Sequence, residues 1–385
     1  MAILVISFDA VGDLAFRAMA ADAARYPNIA AFRRRACFRG GIRTAFVSNT
    51  YPVHTTVSTG KPPNVHGIVS NLLPARASGE RPWAQMARLI KAKTIWDAAR
   101  EKGLKTAAML WPVTCGAKID FHMPEVHPEK GQNLFLRSLM YGSVFFQLGA
   151  IARHWRKLAA GLKGHGQPSL DDFTVSVTCD LLRRKKPDLA LVHLIAYDTI
   201  FHYAGSRGDE IETARQSLDR NLGRLLESWG DGTVIVFSDH SQLDVDENVD
   251  LRETFGDAVY EQAGGCAFVS CSGAGIGERP WFERFLTEAE MEESGFAGKG
   301  LTGIAAKPGF VFCAEGGYRG AHGYPCDYEN YAVFYAVKGT GFDPNPNDAG
   351  RNPHARITDI TAIVARELGI DMDLPELIPV HWKEG

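Results

Sequence analysis

The chain opens MAILVISFDA (1–10), and the run ILVISF (3–8) ending on Asp9 decides how the rest is read. An apolar run of this length without alternation reads as a strand covered on both faces, as in a parallel sheet. Further strands read outward from it: KTAAMLW (105–111), DLALVHLIAY (188–197), TVIVFSDH (233–240), GFVFCAE (309–315) and YAVFYAVKG (331–339), with a short one over 42–47. Helical periodicity separates them, around 14–36, 94–103, 169–186, 209–229 and 357–370. Strands alternating with helices predict an α/β fold with a mainly parallel central sheet and helices on both faces. VHTTVSTG (53–60) follows Pro52 and reads as a helix ending at Gly60.

Two segments interrupt the alternation. Residues 112–168 contain NLFLRSLMYGSVFFQLGAIARHWRKL (133–158), an aromatic and basic helical stretch. Arg137, Gly142, Gln147 and Arg153 break its apolar face, so a helical cap over a site fits it better than a membrane-surface helix. Residues 243–310 are Gly-rich and read as an irregular insertion with a helix near 280–293. The expected division is a catalytic domain of 1–111 and 169–385, with 112–168 as the cap and 243–310 near the site.

Composition narrows the class of protein. The 385 residues carry a formal charge of -3, leaving no basic footprint for a long nucleic acid. The basic run RRKK (183–186) ends a helix and reads as a solvated terminus. No 18-residue apolar stretch predicts a membrane span, and the opening lacks the pattern of a signal peptide. The 7 cysteines are odd in number and form no CxxC, which fits free thiols in a reducing compartment; a cytoplasmic location is the expectation.

Charged and imidazole residues fall where strands end. Asp9 closes the first, Asp198 follows DLALVHLIAY, and Asp239-His240 closes TVIVFSDH. Ligands gather beyond the carboxyl ends of strands in open α/β sheets, and a charge next to a buried run needs a partner. Asp198 and His202 lie four apart, so one helical turn presents both to the same ion. His322 sits in GAHGY (320–324), read as a flexible glycine-flanked turn, and Thr50 precedes the 53–60 helix. Three carboxylates, three imidazoles and a hydroxyl suit two divalent cations and one nucleophile. Nitrogen and oxygen donors without thiolate fit Zn2+, and Mn2+ or Fe2+ also fit. The acidic run Asp244, Asp246, Glu247 and Asp250 lacks EF-hand spacing and reads as a solvated loop.

Four stretches resemble the alkaline phosphatase superfamily, and within it the nucleotide pyrophosphatase/phosphodiesterase family. They are SFDAVG (7–12), NTYPVHTTVSTGKPPNVHGIVSN (49–71), AYDTIFHYAG (196–205) with SDHSQ (238–242), and GAHGYP (320–325). The resemblance implies that Asp9, Thr50, Asp239 and His240 hold one metal ion while Asp198, His202 and His322 hold the other. It also implies Thr50 as the nucleophile, passing through a covalent phospho-threonine, and Asn71 as a donor to a phosphoryl oxygen. Tyr51 beside the nucleophile is expected to stack on a base or aryl group, or else to pack the turn. His54 and His66 read as structural hydrogen-bonders. The implied substrate is a small phosphate ester of the diester or pyrophosphate kind, since Thr replaces the Ser of alkaline phosphatases and the sulfatase signature is absent. A phosphonoacetate-hydrolase-like C–P hydrolase is the alternative; it would need cations such as Lys118, Lys130 or Arg137 at the site. A catalytically silent binding protein of the same fold is the other.

Overall fold

The computed structural model describes residues 2–161, 168–271, 275–313, 316–345 and 355–374. A seven-stranded sheet organises them, in the order Cys37–Ile42, Val333–Lys338, Thr233–Phe237, Ile3–Phe8, Leu189–Leu194, Thr106–Met109, Phe121–Met123. Only Val333–Lys338 runs antiparallel to its neighbours; Ile3–Phe8 is parallel to both strands beside it. The opening run is therefore the middle strand, which is why it is apolar but for Ser7, whose hydroxyl meets His54 Nε2 at 2.9 Å.

Both faces of the sheet are covered, and the pleat divides the first strand between two cores. Leu4, Ile6 and Phe8 join helices Asp13–Ala21, Pro27–Arg35, Ser169–Lys185 and Asp209–Trp229 on one side. Ile3 and Val5 face helices Thr50–Thr59, Ile95–Glu101 and Asp359–Leu368 on the other. All five residues are fully buried. At about 25 cal/mol per Å2 of apolar surface, each large side chain buried this way contributes roughly 1.5–3 kcal/mol.

Several boundaries differ from the sequence reading. The strand expected over 42–47 lies at Cys37–Ile42, and the 14–36 stretch is two helices. The site helix starts at Thr50, three residues before the expected point. Pro52 occupies its first turn, where the missing N–H costs nothing, so it does not delay the helix. Gly60 ends it in the left-handed region at φ 69.

Residues 243–310 are not irregular. A four-stranded antiparallel sheet takes Phe282–Phe285, Thr302–Ala306, Cys266–Val269 and Val259–Gln262 in that order. A three-stranded sheet takes Gly309–Phe312, Leu243–Val249 and Gly320–Ala321. Most of these strands are four residues or fewer and their glycines read as loop, so periodicity misses all but Gly309–Phe312, which lies within the expected GFVFCAE. Residues 314–315 of the expected strand GFVFCAE lie outside the described residues. Within 112–168, helix Val144–Gly161 packs along helix Ser169–Lys185, where Arg153 meets Asp180 at 2.8 Å. Among the described residues no helix is long and apolar enough to cross a membrane.

Candidate active site

Three neighbouring parallel strands end on one edge of the sheet, and each delivers a carboxylate there. Asp9 follows Phe8 directly, and Asp239 lies two residues beyond Phe237. Asp198 lies in the first turn of helix Ala196–Ala204, which begins two residues after Leu194. The helix places His202 one turn on, with Nε2 3.4 Å from Asp198 Oδ1. The sequence-predicted residues come together as two groups, Asp9–Asp239–His240 and Asp198–His202–His322, each with its ligand atoms within 4.8 Å of one another. The groups abut, since the rings of His240 and His322 stack at 4.1 Å. Thr50 Oγ1 lies 3.2 Å from His240 Nε2, so the hydroxyl belongs beside the first group.

Hydrogen bonds fix which atoms face inward. The Nδ1–H of His202 donates to the Gly320 carbonyl at 2.8 Å, and that of His322 donates to Asn49 Oδ1 at 2.8 Å. Each ring is left with a lone pair on Nε2. Asp239 Oδ1 accepts from the Ala10 N–H, while Asp239 Oδ2 and Asp9 Oδ1 are buried without a hydrogen-bond partner. Burial, then the neighbouring charges of Asp239, Asp198 and Glu125, push the Asp9 carboxyl well above the usual range. Burial opposes ionisation of Asp198 too, but His202 and His322 outweigh it and hold its carboxyl low. Burial and the nearby His240 hold the His322 imidazole well below its ordinary value, favouring the neutral ring that ligates. Converging carboxylates with orphaned oxygens, faced by imidazole Nε2 atoms, are what divalent cations would satisfy; the residues fit such ions.

The His322 turn is not flexible. A Cβ at Gly320 would collide with the Phe201 ring, and one at Gly323, where φ is 83, would collide with the Ala263 carbonyl. The glycines let the turn wedge between helix Ala196–Ala204 and the small sheets. The adjoining strand Gly320–Ala321 pairs with Leu243–Val249, so the segment read as irregular is what aims His322.

Four supporting residues escaped sequence reasoning. His193, fully buried in the strand before Asp198, meets Asp9 Oδ2 at 3.0 Å through Nε2 and the Leu110 carbonyl at 3.1 Å through Nδ1. The Gln242 amide donates to Asp198 Oδ1, and Asn49 orients His322 as above. Asp171 accepts the backbone N–H groups of Ile195 and Ala196, pinning the start of the Asp198 helix. A histidine inside an apolar strand was the one available signal. His54 bonds the Thr50 carbonyl and Ser7 and lies with Nδ1 3.5 Å from Asp239 Oδ2, while His66 bonds Thr56 and the Ile68 N–H.

A cavity of about 610 Å3 opens over the groups, with Asp9, Thr50, Asn71, Asp198, His202 and His322 in its lining. Asn71 Oδ1 accepts the Tyr51 N–H at 2.9 Å, which commits the oxygen and leaves the NH2 as the donor. Because Tyr51 spends its N–H this way and Pro52 has none, Thr50 supplies the remaining N–H among the first three helix residues. Tyr51 stands in the cavity wall but is 1% exposed, its ring against Trp83, so it has no open face for a base. Trp83 and His127, stacked at 3.7 Å, are more exposed than Tyr51. The Lys or Arg residue lining the cavity, among the described residues, is Arg81, which is paired with Glu261.

Sheet order, strand-end carboxylates and a helix-opening threonine agree with the alkaline-phosphatase-like fold expected from the sequence. The family model "Type I phosphodiesterase / nucleotide pyrophosphatase" matches residues 3–292, and the chain belongs to that family. His322 lies beyond the matched span. Venom phosphodiesterase 2 of Crotalus adamanteus is 24% identical over 206 residues, covering 52% of this chain and 21% of the relative. Bos taurus ectonucleotide pyrophosphatase/phosphodiesterase family member 3 is 23% identical, covering 52% and 20%. The chain thus spans about a fifth of the length of the curated relatives it matches. Among solved structures, an inactive Thr-to-Ala variant of murine ectonucleotide pyrophosphatase/phosphodiesterase 5 in complex with AMP aligns over 98% of this chain and 97% of its own, with TM-score 0.67 and 16% identity. Phosphonoacetate hydrolase from Sinorhizobium meliloti 1021 aligns over 96% of both chains at TM-score 0.61 and 16% identity.

Proposed function

We propose that the protein hydrolyses phosphodiester or pyrophosphate bonds of nucleotide-type substrates at a two-metal centre, through a covalent phospho-threonine. The observation that carries this is the gathering of two donor groups beside Thr50 Oγ1, with buried carboxylate oxygens left unpartnered. Two divalent ions, zinc for this donor set with Mn2+ or Fe2+ as substitutes, would be held by Asp9, Thr50, Asp239 and His240 and by Asp198, His202 and His322, supplying positive charge that lowers the pKa of a coordinated hydroxyl.

The chain's own groups do the rest. Thr50 Oγ attacks phosphorus; its bond to phosphorus forms as the bond to the leaving oxygen breaks. Water then cleaves the phospho-threonine and restores the hydroxyl. Asn71, its oxygen tied to Tyr51, donates its NH2 to a phosphoryl oxygen, and the Thr50 N–H at the helix start adds a second donor. The Trp83–His127 stack receives the base or aryl group.

A phosphonoacetate-type substrate is less well served. Its carboxylate would require an unpaired cation, and Arg81 already has Glu261. Lys118, Lys130 and Arg137 are not in the cavity lining. The test is metal analysis followed by turnover of bis-p-nitrophenyl phosphate, a nucleotide diester and phosphonoacetate with zinc supplied. Thr50→Ala is expected to lose turnover and keep metal at the Asp198 group. A wild-type enzyme with no bound metal and no diesterase activity would sink the reading, and an active Thr50→Ala would remove the nucleophile.

A further inference from the structure

Apolar exposure is concentrated on one element pair. Of 13 large apolar residues exposed among the described residues, 8 lie between Leu134 and Trp155. Their helices are Leu134–Tyr141 and Val144–Gly161. Phe145 is 91% exposed, Met140 67% and Leu136 58%. Phe145, Leu148 and Ala152 follow i, i+3, i+7 spacing and so share a stripe; Trp155, 57% exposed, follows the break at His154. The opposite side of the helix is packed: Ala150 is buried and Phe146 meets Phe121 at 5.9 Å. Such a patch marks a contact surface when it is clustered, and is unremarked when scattered.

The two helices of the patch themselves carry charge of one sign. Residues 133–161 contain Arg137, Arg153, Arg156 and Lys157 and no Asp or Glu. Helix Ser169–Lys185 runs antiparallel beside them, with Arg153 against Asp180 and Lys157 against Ser176. That register brings the exposed run Arg183–Lys186 beside the Phe145 end; Lys185 lies over the Phe121 ring that Phe146 also touches. Among the described residues, two acidic residues face this strip: Asp180, shared by Arg153 and Arg184, and Glu129, which Arg76 pairs and whose carboxyl Arg137 also helps to hold low.

We infer that this face docks on an anionic lipid bilayer, with Phe145, Leu148 and Trp155 entering the interface and the cations of 153–157 and 183–186 meeting lipid phosphates. Aromatic and aliphatic residues on one face flanked by Lys and Arg suit an interfacial helix that lies on the surface without spanning it; Gln147, which interrupts the apolar pattern in the sequence, is buried on the packed side and Arg153 turns to Asp180, so the membrane-surface reading set aside on sequence applies to this face. A second copy is a poorer occupant, because a two-fold contact would set the two basic runs against each other. His127 in the cavity wall precedes Leu134 by seven residues, so the cavity rim and the patch are at most about 25 Å apart along the chain.

The test is flotation of the full chain with vesicles of phosphatidylcholine alone or mixed with phosphatidylglycerol. Expected is at least tenfold more protein on the anionic vesicles, and release on raising the salt. Phe145→Asp with Leu148→Asp should abolish flotation, and Arg183→Glu with Lys185→Glu should weaken it. Unchanged melting and diesterase activity in both variants would show that the fold and cavity are intact. Equal recovery on both vesicle types, or variants that float like wild type, would overturn the proposal. So would a dimer in light scattering that Phe145→Asp dissociates, since that assigns the face to a second copy. Flotation involves no turnover, so it succeeds or fails independently of the proposed chemistry.

Discussion

Asn71 offers a clean separation of chemistry from folding. Its Oδ1 is bound to the Tyr51 N–H at 2.9 Å, and its NH2 is the group left to donate into the cavity. Replacing it with Ala removes both interactions. Losing one preorganised donor to a developing oxyanion costs about 10^2–10^3 in kcat, or roughly 2.7–4 kcal/mol. The orphaned Tyr51 N–H costs about 1–3 kcal/mol of stability, a Tm decrease of a few degrees in a chain of this size. Asn71→Asp separates the two effects. A carboxylate still accepts from Tyr51, so melting should stay near wild type. It donates nothing and sets a negative charge against the phosphoryl group, so kcat should fall at least as far as in the Ala variant. The assay is kcat and KM on bis-p-nitrophenyl phosphate, with metal content and Tm measured on the same preparations. If Asn71→Asp keeps its metal and turns over within about threefold of wild type, far inside the 10^2 expected for a lost donor, the role assigned to Asn71 is refuted.

Two further outcomes follow from the supporting residues. His193→Ala leaves Asp9 Oδ2 without its brace, so zinc affinity should fall about 10–100-fold and excess zinc should restore activity; an unchanged zinc titration would show that the brace is idle. His66 is held at a pKa of about 3 by burial, against 6.5 when exposed, so its native form is neutral and accepts the Ile68 N–H. A depressed pKa means that its stability contribution is present above pH 6.5 and is lost as pH falls toward 3. His66→Gln should therefore lose less stability than wild type in denaturant melts between pH 7 and 4.5, and an equal loss in both proteins would exclude His66 as an acid-sensitive site.

Much of the site was legible because the sheet makes it so. A strand buried on both faces is apolar until it emerges, and the first charge after it is conspicuous; Asp9 and Asp239 were readable for that reason. Asp198 and His202 were readable because helical spacing supplies the geometry. His193 was hidden by the same logic, as a single imidazole inside an apolar strand looks like part of that strand. Gln242 and Asn49 act on atoms far away in the chain, which local periodicity does not carry. Tyr51 was left open between stacking and packing because adjacency to Thr50 says nothing of which way a ring turns. The cavity wall comes from loops such as Trp83 and His127, and there no period exists to read.

The position of the first strand has a consequence for how the molecule comes into being. Ile3 lies between Leu189 and Thr233, so the middle of the sheet is made by a segment that precedes both its flanks by more than 180 residues. During synthesis Asp9 emerges long before any partner. The first donor group is complete only once residue 240 is out, and the second waits for His322. Such non-local pairing is slow to form, because the chain closes long loops before contact rewards it. Tight cation capture would then be a late event in assembly, and chains truncated before residue 322 lack the donor that completes the second group. Metal content would report completed topology.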